Sequence, residues 1–168
     1  MGRTYRLGVT GIPHVRPAGP ADFDSVLEIR DQVAVDLLGR GFHWNPNVLT
    51  RAQLADWSDR GVLFIAEIKG QVIGSIAVWR RDPGGWWPTE DRAGYVRDLM
   101  IHPRFRSQNV GAIVLRWAEK YAAGLGLQRV RLDCLSSNDR LCRYYMEAGY
   151  RRVATDTDGV VYFEKSVS

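Results

Sequence analysis

The sequence predicts an α/β fold in which helices pack on a mixed sheet. Apolar residues recur at helical spacing over residues 22–38 and 108–123, which is typical of amphipathic helices. Runs rich in β-branched residues at 62–68, 72–79 and 130–135 are typical of buried strands. Because the two kinds of segment alternate along the chain, one sheet covered by helices is expected.

The elements are expected in the order strand, two helices, three strands, helix, strand, helix and two strands. Thr50 and Gln53 form the pattern of a capping box, which predicts the start of the second helix. Residues 69–71 predict a hairpin turn, and Gly124 and Gly126 predict the end of the long helix. The remaining elements are expected at residues 14–16, 50–58, 95–101, 137–148, 150–155 and 160–164.

The composition is that of a globular chain with a basic excess. Of its 168 residues 45% are hydrophobic and 25% are charged, which is enough apolar material to bury a core. We expect a flexible leader at residues 1–12 and a single domain at 13–168. The formal net charge of +4 and the isoelectric point near 9.3 favour anionic partners, such as nucleic acid, an acidic membrane surface or a phosphorylated cofactor.

Several classes of partner are disfavoured by the sequence. Arginines are scattered over all elements and no basic helix stands out, which argues against nucleic acid. No stretch reaches the roughly 18 apolar residues of a membrane span, and no apolar run of signal length stands at the N-terminus, so we expect a cytoplasmic protein without a membrane partner. Cys134 and Cys142 are expected to be reduced thiols, and no metal-type spacing surrounds the cysteines or histidines.

The clearest functional segment is a basic turn between a strand and a helix. Residues 99–112 read Leu-Met-Ile-His-Pro-Arg-Phe-Arg-Ser-Gln-Asn-Val-Gly-Ala. Such a turn exposes backbone N–H groups at the positive end of a helix, where a diphosphate can bind, and Arg104 and Arg106 add positive charge. Taken alone, the segment fits an ordinary basic turn equally well, and it is neither a P-loop nor a dinucleotide fingerprint.

This segment resembles the signature of the GNAT acyltransferases, Arg/Gln-x-x-Gly-x-Gly/Ala after a strand of the form Leu-x-Val-x-Pro. Here Arg106 opens the signature and Gly111 closes it, while Ser107 and Asn109 stand where members usually carry glycine. Asparagine tolerates positive φ better than most residues, so the loop shape can survive. The resemblance implies that backbone amides of this loop hold the pyrophosphate of coenzyme A.

A second motif downstream strengthens the resemblance. A strand ends before Asn138, and a helix closes with Tyr145-x-x-x-Gly149-Tyr150, at the spacing found in the family. Two motifs in the right order are far more specific than either alone. The resemblance covers residues 14–165 and implies a GNAT-like fold, with a mixed, mostly antiparallel sheet, splayed central strands and helices on both faces.

The resemblance also implies the chemistry. It suggests a metal-free N-acetyltransferase that moves an acetyl group from acetyl-CoA to a primary amine of an unidentified small molecule or peptide, by direct attack in a ternary complex. A backbone N–H near Met100 and Ile101 would bind the oxyanion, and Asn138 would bind cofactor or order a water. The implied cofactor-binding residues are Leu99, Met100, Ile101, Arg106, Ser107, Gln108, Asn109, Val110, Gly111, Ala112, Asn138 and Tyr145.

The reaction requires an acid for the departing thiolate and a base for the ammonium group. The resemblance gives the acid role to Tyr145, whose phenol, with an ordinary pKa near 10, is protonated at neutral pH. The alternative is an aromatic residue that only anchors its helix. Asp133 and Asp98 are both candidates for the base, although either carboxylate could instead be solvated or paired. Tyr144 points about 100° away from Tyr145 on a helix and is expected in the core.

The acceptor is indicated only weakly. Trp44, Trp86 and Trp87 lie in loops with proline and glycine, where exposed aromatics often line a ligand site, although packing of loop on sheet explains them equally well. Four carboxylates could attract an ammonium group, although any protein surface carries such groups: Asp36, Asp82, Glu90 and Asp91. The resemblance implies a monomer or homodimer. Two other functions stay open: a non-catalytic module that binds coenzyme A, and a nucleic-acid-binding protein.

Overall fold

The computed structural model describes residues 9–42, 49–84 and 92–168, and the elements there follow the predicted order. Helices α1 to α4 span Phe23–Gly39, Arg51–Asp59, Val110–Gly124 and Asp139–Glu147. Strands β1 to β7 span His14–Pro17, Leu63–Ile68, Gln71–Trp79, Gly94–Ile101, Arg129–Leu135, Arg151–Thr155 and Val160–Ser166. Short 3-10 helices at Pro20–Asp22 and Pro103–Gln108 add to what the sequence predicts.

The described strands form a mixed sheet in the order β1-β2-β3-β4-β5-β7-β6. Strands β4 and β5 run parallel, whereas the pairs β1–β2, β5–β7 and β6–β7 are antiparallel. The predicted mixed α/β fold is therefore confirmed. The register of β4 with β5 contains the two pairs Gly94–Val130 and Tyr95–Arg131, although the strands are eight and seven residues long, which agrees with the expected splay of the central strands.

The chain divides into two compact units. The first contains Met1–Ile76 and Leu99–Val114, and the second contains Ala77–Asp98 and Leu115–Ser168. The predicted leader at residues 1–12 lies mostly outside the described residues. The leader and the single domain at 13–168 both stay predictions. Within the described ranges, no helix is long and apolar enough to cross a membrane.

Helices α1 and α2 and strand β2 share the core of the first unit. Their apolar side chains form one buried cluster, which includes Phe23, Val26, Ile29, Leu54, Leu63 and Ile65. The predicted capping box starts α2: the N–H of Gln53 donates to Thr50 Oγ1 at 3.2 Å, and the N–H of Thr50 donates to Gln53 Oε1 at 2.9 Å. The local sequence thus fixes the start of α2, and its apolar face fixes where it packs.

In the second unit, β7 has a buried ion pair on one face and an aromatic contact on the other. On one face, Arg131 donates to Glu164 Oε2 and to the Tyr95 hydroxyl, both at 2.9 Å, and Arg131 and Glu164 are only 2% and 4% exposed. On the other face, Phe163 contacts Tyr145 of α4, with ring centroids 5.6 Å apart. Because side chains alternate along a strand, α4 and the buried ion pair lie on opposite faces of β7.

Candidate active site

The predicted anion-binding turn is a 3-10 helix that runs directly into α3. Phe105 is 3% exposed and Val110 is fully buried, and between them Ser107, Gln108 and Asn109 lie exposed. Asn109 takes a left-handed conformation with φ 58° and ψ 19°, the region that glycine adopts freely and asparagine tolerates. The asparagine at this position therefore keeps a backbone shape like that of glycine.

The first turn of α3 supplies backbone donors. The N–H of Ile113 donates to the carbonyl of Asn109 at 3.2 Å. The N–H groups of Val110, Gly111 and Ala112 precede that bond and have no acceptor within the helix. They point toward the positive end of the helix, where an anion is stabilised. Donors at the start of a helix, next to a basic turn, suit a diphosphate.

The side chain of Arg106 is tied to α1. Its Nη1 donates to Asp36 Oδ2 at 2.5 Å, and Arg40 Nε lies 3.1 Å from the same oxygen. Desolvation alone would raise the pKa of Asp36, but the two guanidinium groups outweigh it and hold this pKa below its usual value. Asp36 is therefore ionised and already paired, so it is not the free charge for an ammonium group that the sequence suggested.

Tyr145 is the more deeply buried member of the tyrosine pair on α4. It is 6% exposed, and its ring centroid lies 6.0 Å from that of Tyr150. Desolvation, and then the nearby Cys134 thiol, raise the pKa of Tyr145 far above its ordinary value, so the phenol is protonated at neutral pH.

Tyr144 differs from the expected core residue. Its side chain is half-buried, yet its hydroxyl is buried and has no hydrogen-bond partner among the described residues. Desolvation raises the pKa of Tyr144 as well. Both neighbouring phenols thus have a raised pKa, but they differ in burial. Tyr145 is the one that packs against the sheet.

Asn138 begins α4 as its N-cap residue. Its Oδ1 accepts from the N–H of Leu141 at 3.2 Å, and its carbonyl accepts from the N–H of Cys142 at 3.0 Å. The cap occupies the side-chain oxygen and leaves the amide NH₂ as its donor. Cys134 and Cys142 are free thiols whose sulfurs lie 3.5 Å apart.

The two candidate bases lie near Arg97 of β4. Its Nη2 lies 3.9 Å from Asp133 Oδ1 and 3.8 Å from Asp82 Oδ1. Desolvation raises the pKa of Asp133, Arg97 opposes that change, and the charges of Asp82 and Asp156 reinforce it. Asp98 keeps solvent contact, yet the protein around its carboxyl desolvates it enough to raise its pKa too. A raised pKa makes either group a stronger base than an ordinary aspartate.

The remaining predicted site residues lie either in β4 or outside the described residues. Leu99 and Ile101 are half-buried in β4, and Met100 between them is 4% exposed. The predicted acceptor residues that lie outside the described residues are Trp44, Trp86, Trp87, Glu90 and Asp91. Across the ranges that are described, no group of three His, Cys, Asp or Glu side chains could hold a metal ion.

Arg97 is a site residue that the sequence analysis missed. The register pairs Tyr95 with Arg131, and side chains alternate along each strand, so Arg97 and Asp133 fall on the same face. A parallel pairing of these two strands, had it been assumed from the sequence, would have brought the two residues together. No strand pairing or local pattern predicts that Asp36 lies beside Arg106, because 70 residues separate them in the sequence.

A mixed sheet with helices, and a basic turn that leads into α3, is an architecture that can serve an anionic cosubstrate. The model of the acetyltransferase (GNAT) family matches residues 31–150. The chain belongs to this family, and it is an N-acetyltransferase that uses acetyl-CoA as its acyl donor.

Individual relatives agree with this assignment. The chain is 27% identical over 161 residues to the uncharacterized N-acetyltransferase YesJ of Bacillus subtilis (strain 168), covering 90% of this chain and 89% of YesJ. Its fold resembles a GNAT acetyltransferase of Listeria monocytogenes 4b F2365, with a TM-score of 0.82, 20% identity and coverage of 96% and 99%. It also resembles PaiA N-acetyltransferase of Thermoplasma acidophilum in complex with coenzyme A, with a TM-score of 0.75, 16% identity and coverage of 92% and 98%.

Proposed function

We propose that this chain transfers the acetyl group of acetyl-CoA to a primary amine of a small molecule or peptide, by direct attack in a ternary complex. The observation that carries the proposal is Tyr145, a buried phenol on the helix that Asn138 caps, with a pKa raised by desolvation. Such a group holds its proton at neutral pH and can give it to a departing thiolate. Tyr145 is therefore assigned as the general acid.

The basic turn is assigned to the phosphates of the cosubstrate. The N–H groups of Val110, Gly111 and Ala112 would donate to oxygens of the pyrophosphate, with Arg106 beside them, and the exposed residues 107–109 give access. Residues 99–101 of β4 would line the acyl-bearing arm. Bound acetyl-CoA supplies a thioester, which releases a thiolate when an amine attacks.

The base is assigned to one of two carboxylates. Asp133 is three-quarters buried beside Arg97, with its side chain 23% exposed, whereas Asp98 lies at the surface. An amine reaches the reaction as an ammonium ion, so the base must take its proton directly or through a water. The more buried carboxylate, Asp133, is the first choice, because burial raises the pKa of a carboxyl and so makes it a stronger base.

Tyr145→Phe tests the proposed function, and Tyr144→Phe is its matched control. Loss of the acid should lower kcat by about 10²-fold or more and leave the affinity for coenzyme A unchanged. Tyr144→Phe removes a buried hydroxyl without a partner, so kcat should hold and thermal stability should hold or rise. Thiol release from acetyl-CoA measures kcat, and calorimetry measures the affinity.

The acceptor follows from a thiol-release screen with polyamines, aminoglycosides, amino acids and peptides with free N-termini. The proposal requires at least one amine class that releases thiol well above the rate of Tyr145→Phe. If every amine stays at that background while coenzyme A still binds, the chain is a non-catalytic module that binds coenzyme A. The altered glycine positions at Ser107 and Asn109 make that second function worth testing.

A further inference from the structure

Arg106 is anchored to a helix far away in the sequence. Asp36 of α1 accepts from its Nη1 at 2.5 Å, and the two side chains are 28% and 34% exposed. Asp36 also pairs with Arg40 one helical turn later, at 3.1 Å. The triad therefore carries two positive charges and one negative charge, so the anchored turn keeps a net positive charge beside the amides of α3.

Burial and backbone conformation also hold the turn in place. Phe105 on one side and Val110 on the other are buried in the core, and Asn109 takes the left-handed conformation. Ser107 and Gln108 are exposed between them. The bond from Arg106 to Asp36 joins this turn to α1.

The pairing leaves Arg106 able to bind an anion. A guanidinium group has five N–H donors in a planar fork. In the described part of the chain, Asp36 uses Nη1 and no other partner of Arg106 is recorded. The ion pair can therefore fix the direction of the fork while Nε and Nη2 stay available to a phosphate oxygen.

We propose that Asp36 is a positioning residue for the cosubstrate: by holding Arg106, it sets the affinity of the turn for the diphosphate of coenzyme A. Asp36 does not touch the cosubstrate in this scheme. The inference rests on the proposed function, because it assigns a diphosphate to this turn. The competing view, in which Asp36 merely neutralises Arg106 and competes with the phosphates, predicts the opposite sign for removal of its charge.

Asp36→Asn tests the proposal, and Asp24→Asn is the matched control. Asp24 lies on the same helix and forms an ion pair with Arg51, away from the turn. We expect Asp36→Asn to weaken the binding of coenzyme A about fivefold, equivalent to about 1 kcal/mol, and to raise the KM for acetyl-CoA equally. The kcat should stay within about twofold, and Asp24→Asn should change neither constant.

Two further variants separate positioning from a general effect on stability. Asp36→Glu keeps the charge and should restore at least half of the lost binding free energy. In an Arg106→Gln background, Asp36→Asn should have no further effect on affinity, because its partner is gone. A full additional loss in that background would overturn the proposal, as would a fall of kcat in parallel with the affinity of Asp36→Asn.

The binding of coenzyme A distinguishes a wrong role for Asp36 from a wrong function for the chain. If the wild-type chain binds coenzyme A and Asp36→Asn binds it equally well or more tightly, the positioning role of Asp36 is wrong and the proposed function stands. If the wild-type chain binds no coenzyme A in calorimetry, both are wrong. Adenosine 3′,5′-bisphosphate and pantetheine, titrated separately, show whether the phosphorylated half carries the effect of Asp36→Asn.

Discussion

At the scale of single residues, Asp98 holds a backbone conformation that L-amino acids rarely adopt in a strand. Its φ is 50°, inside β4, where the neighbouring residues are extended. A non-glycine residue in this region costs on the order of 1 kcal/mol, although aspartate tolerates it better than most. The strain, together with the raised pKa of its carboxyl, marks Asp98 as either the base or the residue that shapes β4 at this point.

Asp98→Gly and Asp98→Ala separate these two roles. Alanine keeps the strain and lacks the polar side chain, so it should lower the free energy of unfolding by about 1 kcal/mol relative to glycine. If Asp98 only shapes the strand, Asp98→Gly keeps its activity, and Asp133→Asn then loses it. Urea unfolding and thiol release measure the two effects. Equal stability of the alanine and glycine variants would contradict a strained backbone.

Single residues were predictable from sequence only where a motif fixes their spacing. Tyr145 and Asn138 follow from a helix with defined ends, so their placement on α4 and at its start could be predicted. The positive φ of Asp98 has no comparable signal, because neither its neighbours nor its own identity demands it. The ion pair of Asp36 with Arg106 depends on how α1 packs, which no local pattern encodes.

At the scale of elements, β3 approaches β4 closely at Gly74. A Cβ at this position would lie 2.7 Å from the carbonyl oxygen of Met100 and 2.6 Å from Cδ1 of Ile101. The first contact is with backbone, so β4 would have to shift. Because residues 99–101 are assigned to the cosubstrate, the absence of a side chain at Gly74 fixes the strand that is proposed to bind it.

Gly74→Ala should therefore affect both stability and binding. We expect the free energy of unfolding to fall by about 1–3 kcal/mol and the KM for acetyl-CoA to rise. Gly124→Ala is the control, because a Cβ there meets nothing within 4 Å and alanine favours a helix. Chemical denaturation and steady-state kinetics measure the changes. A Gly74→Ala variant as stable as Gly124→Ala would show that β4 shifts without cost.

A buried ion pair between Arg131 and Glu164 joins β5 to β7. Desolvation alone would raise the pKa of Glu164, but hydrogen bonds from Arg151 and Arg131 outweigh it and hold this pKa below its usual value. A carboxylate with a lowered pKa stabilises the fold above its unfolded pKa, and that contribution is lost as the pH falls through its folded pKa. Glu164 should thus stabilise the fold at neutral pH, and this stabilisation should be lost in acid.

Glu164→Gln makes this pH dependence measurable. At pH 7 the variant leaves Arg131 buried without its counter-ion, and the free energy of unfolding should drop by about 3 kcal/mol. The difference from wild type should shrink as the pH falls below the ordinary range of a glutamate and through the lowered pKa of Glu164, because the wild-type carboxyl then becomes protonated. Asp56→Asn, which breaks the exposed pair with Arg60, should cost less than about 1 kcal/mol. A pH-independent difference would contradict the role of the charge.

Element order was predictable, and element ends near the turn were not. Helical periodicity predicted α1 and α3, and a capping box predicted α2. The long helix was expected from residue 108, but α3 starts at Val110 because the left-handed Asn109 interrupts the helical backbone. The 3-10 helix at Pro103–Gln108 is too short to show a period, so no pattern of residues predicts it.

At the scale of the whole molecule, the net charge of +4 agrees with a polyanionic cosubstrate. Long-range attraction of this kind acts mainly on the encounter and weakens as salt screens it, with a Debye length of about 8 Å at physiological ionic strength. The sequence predicted an anionic partner from this excess alone, and membership of the acetyltransferase family identifies that partner as acetyl-CoA. Charge and site thus point to the same ligand from independent observations.

Coenzyme A should therefore stabilise the chain in a way that depends on salt. At 100 times its Kd, a ligand adds about 2.7 kcal/mol to the free energy of unfolding, which raises the Tm of a protein of this size by about 5–10 °C. Raising sodium chloride from 0.05 to about 0.5 M at fixed coenzyme A should reduce the shift, because screening weakens the contacts of phosphates with arginine. Pantetheine, which lacks phosphates, should give a smaller shift that salt leaves unchanged. A shift with coenzyme A that is large and insensitive to salt would place its binding energy elsewhere than in the basic turn, and the assignment of Arg106 and the first turn of α3 would fall with it.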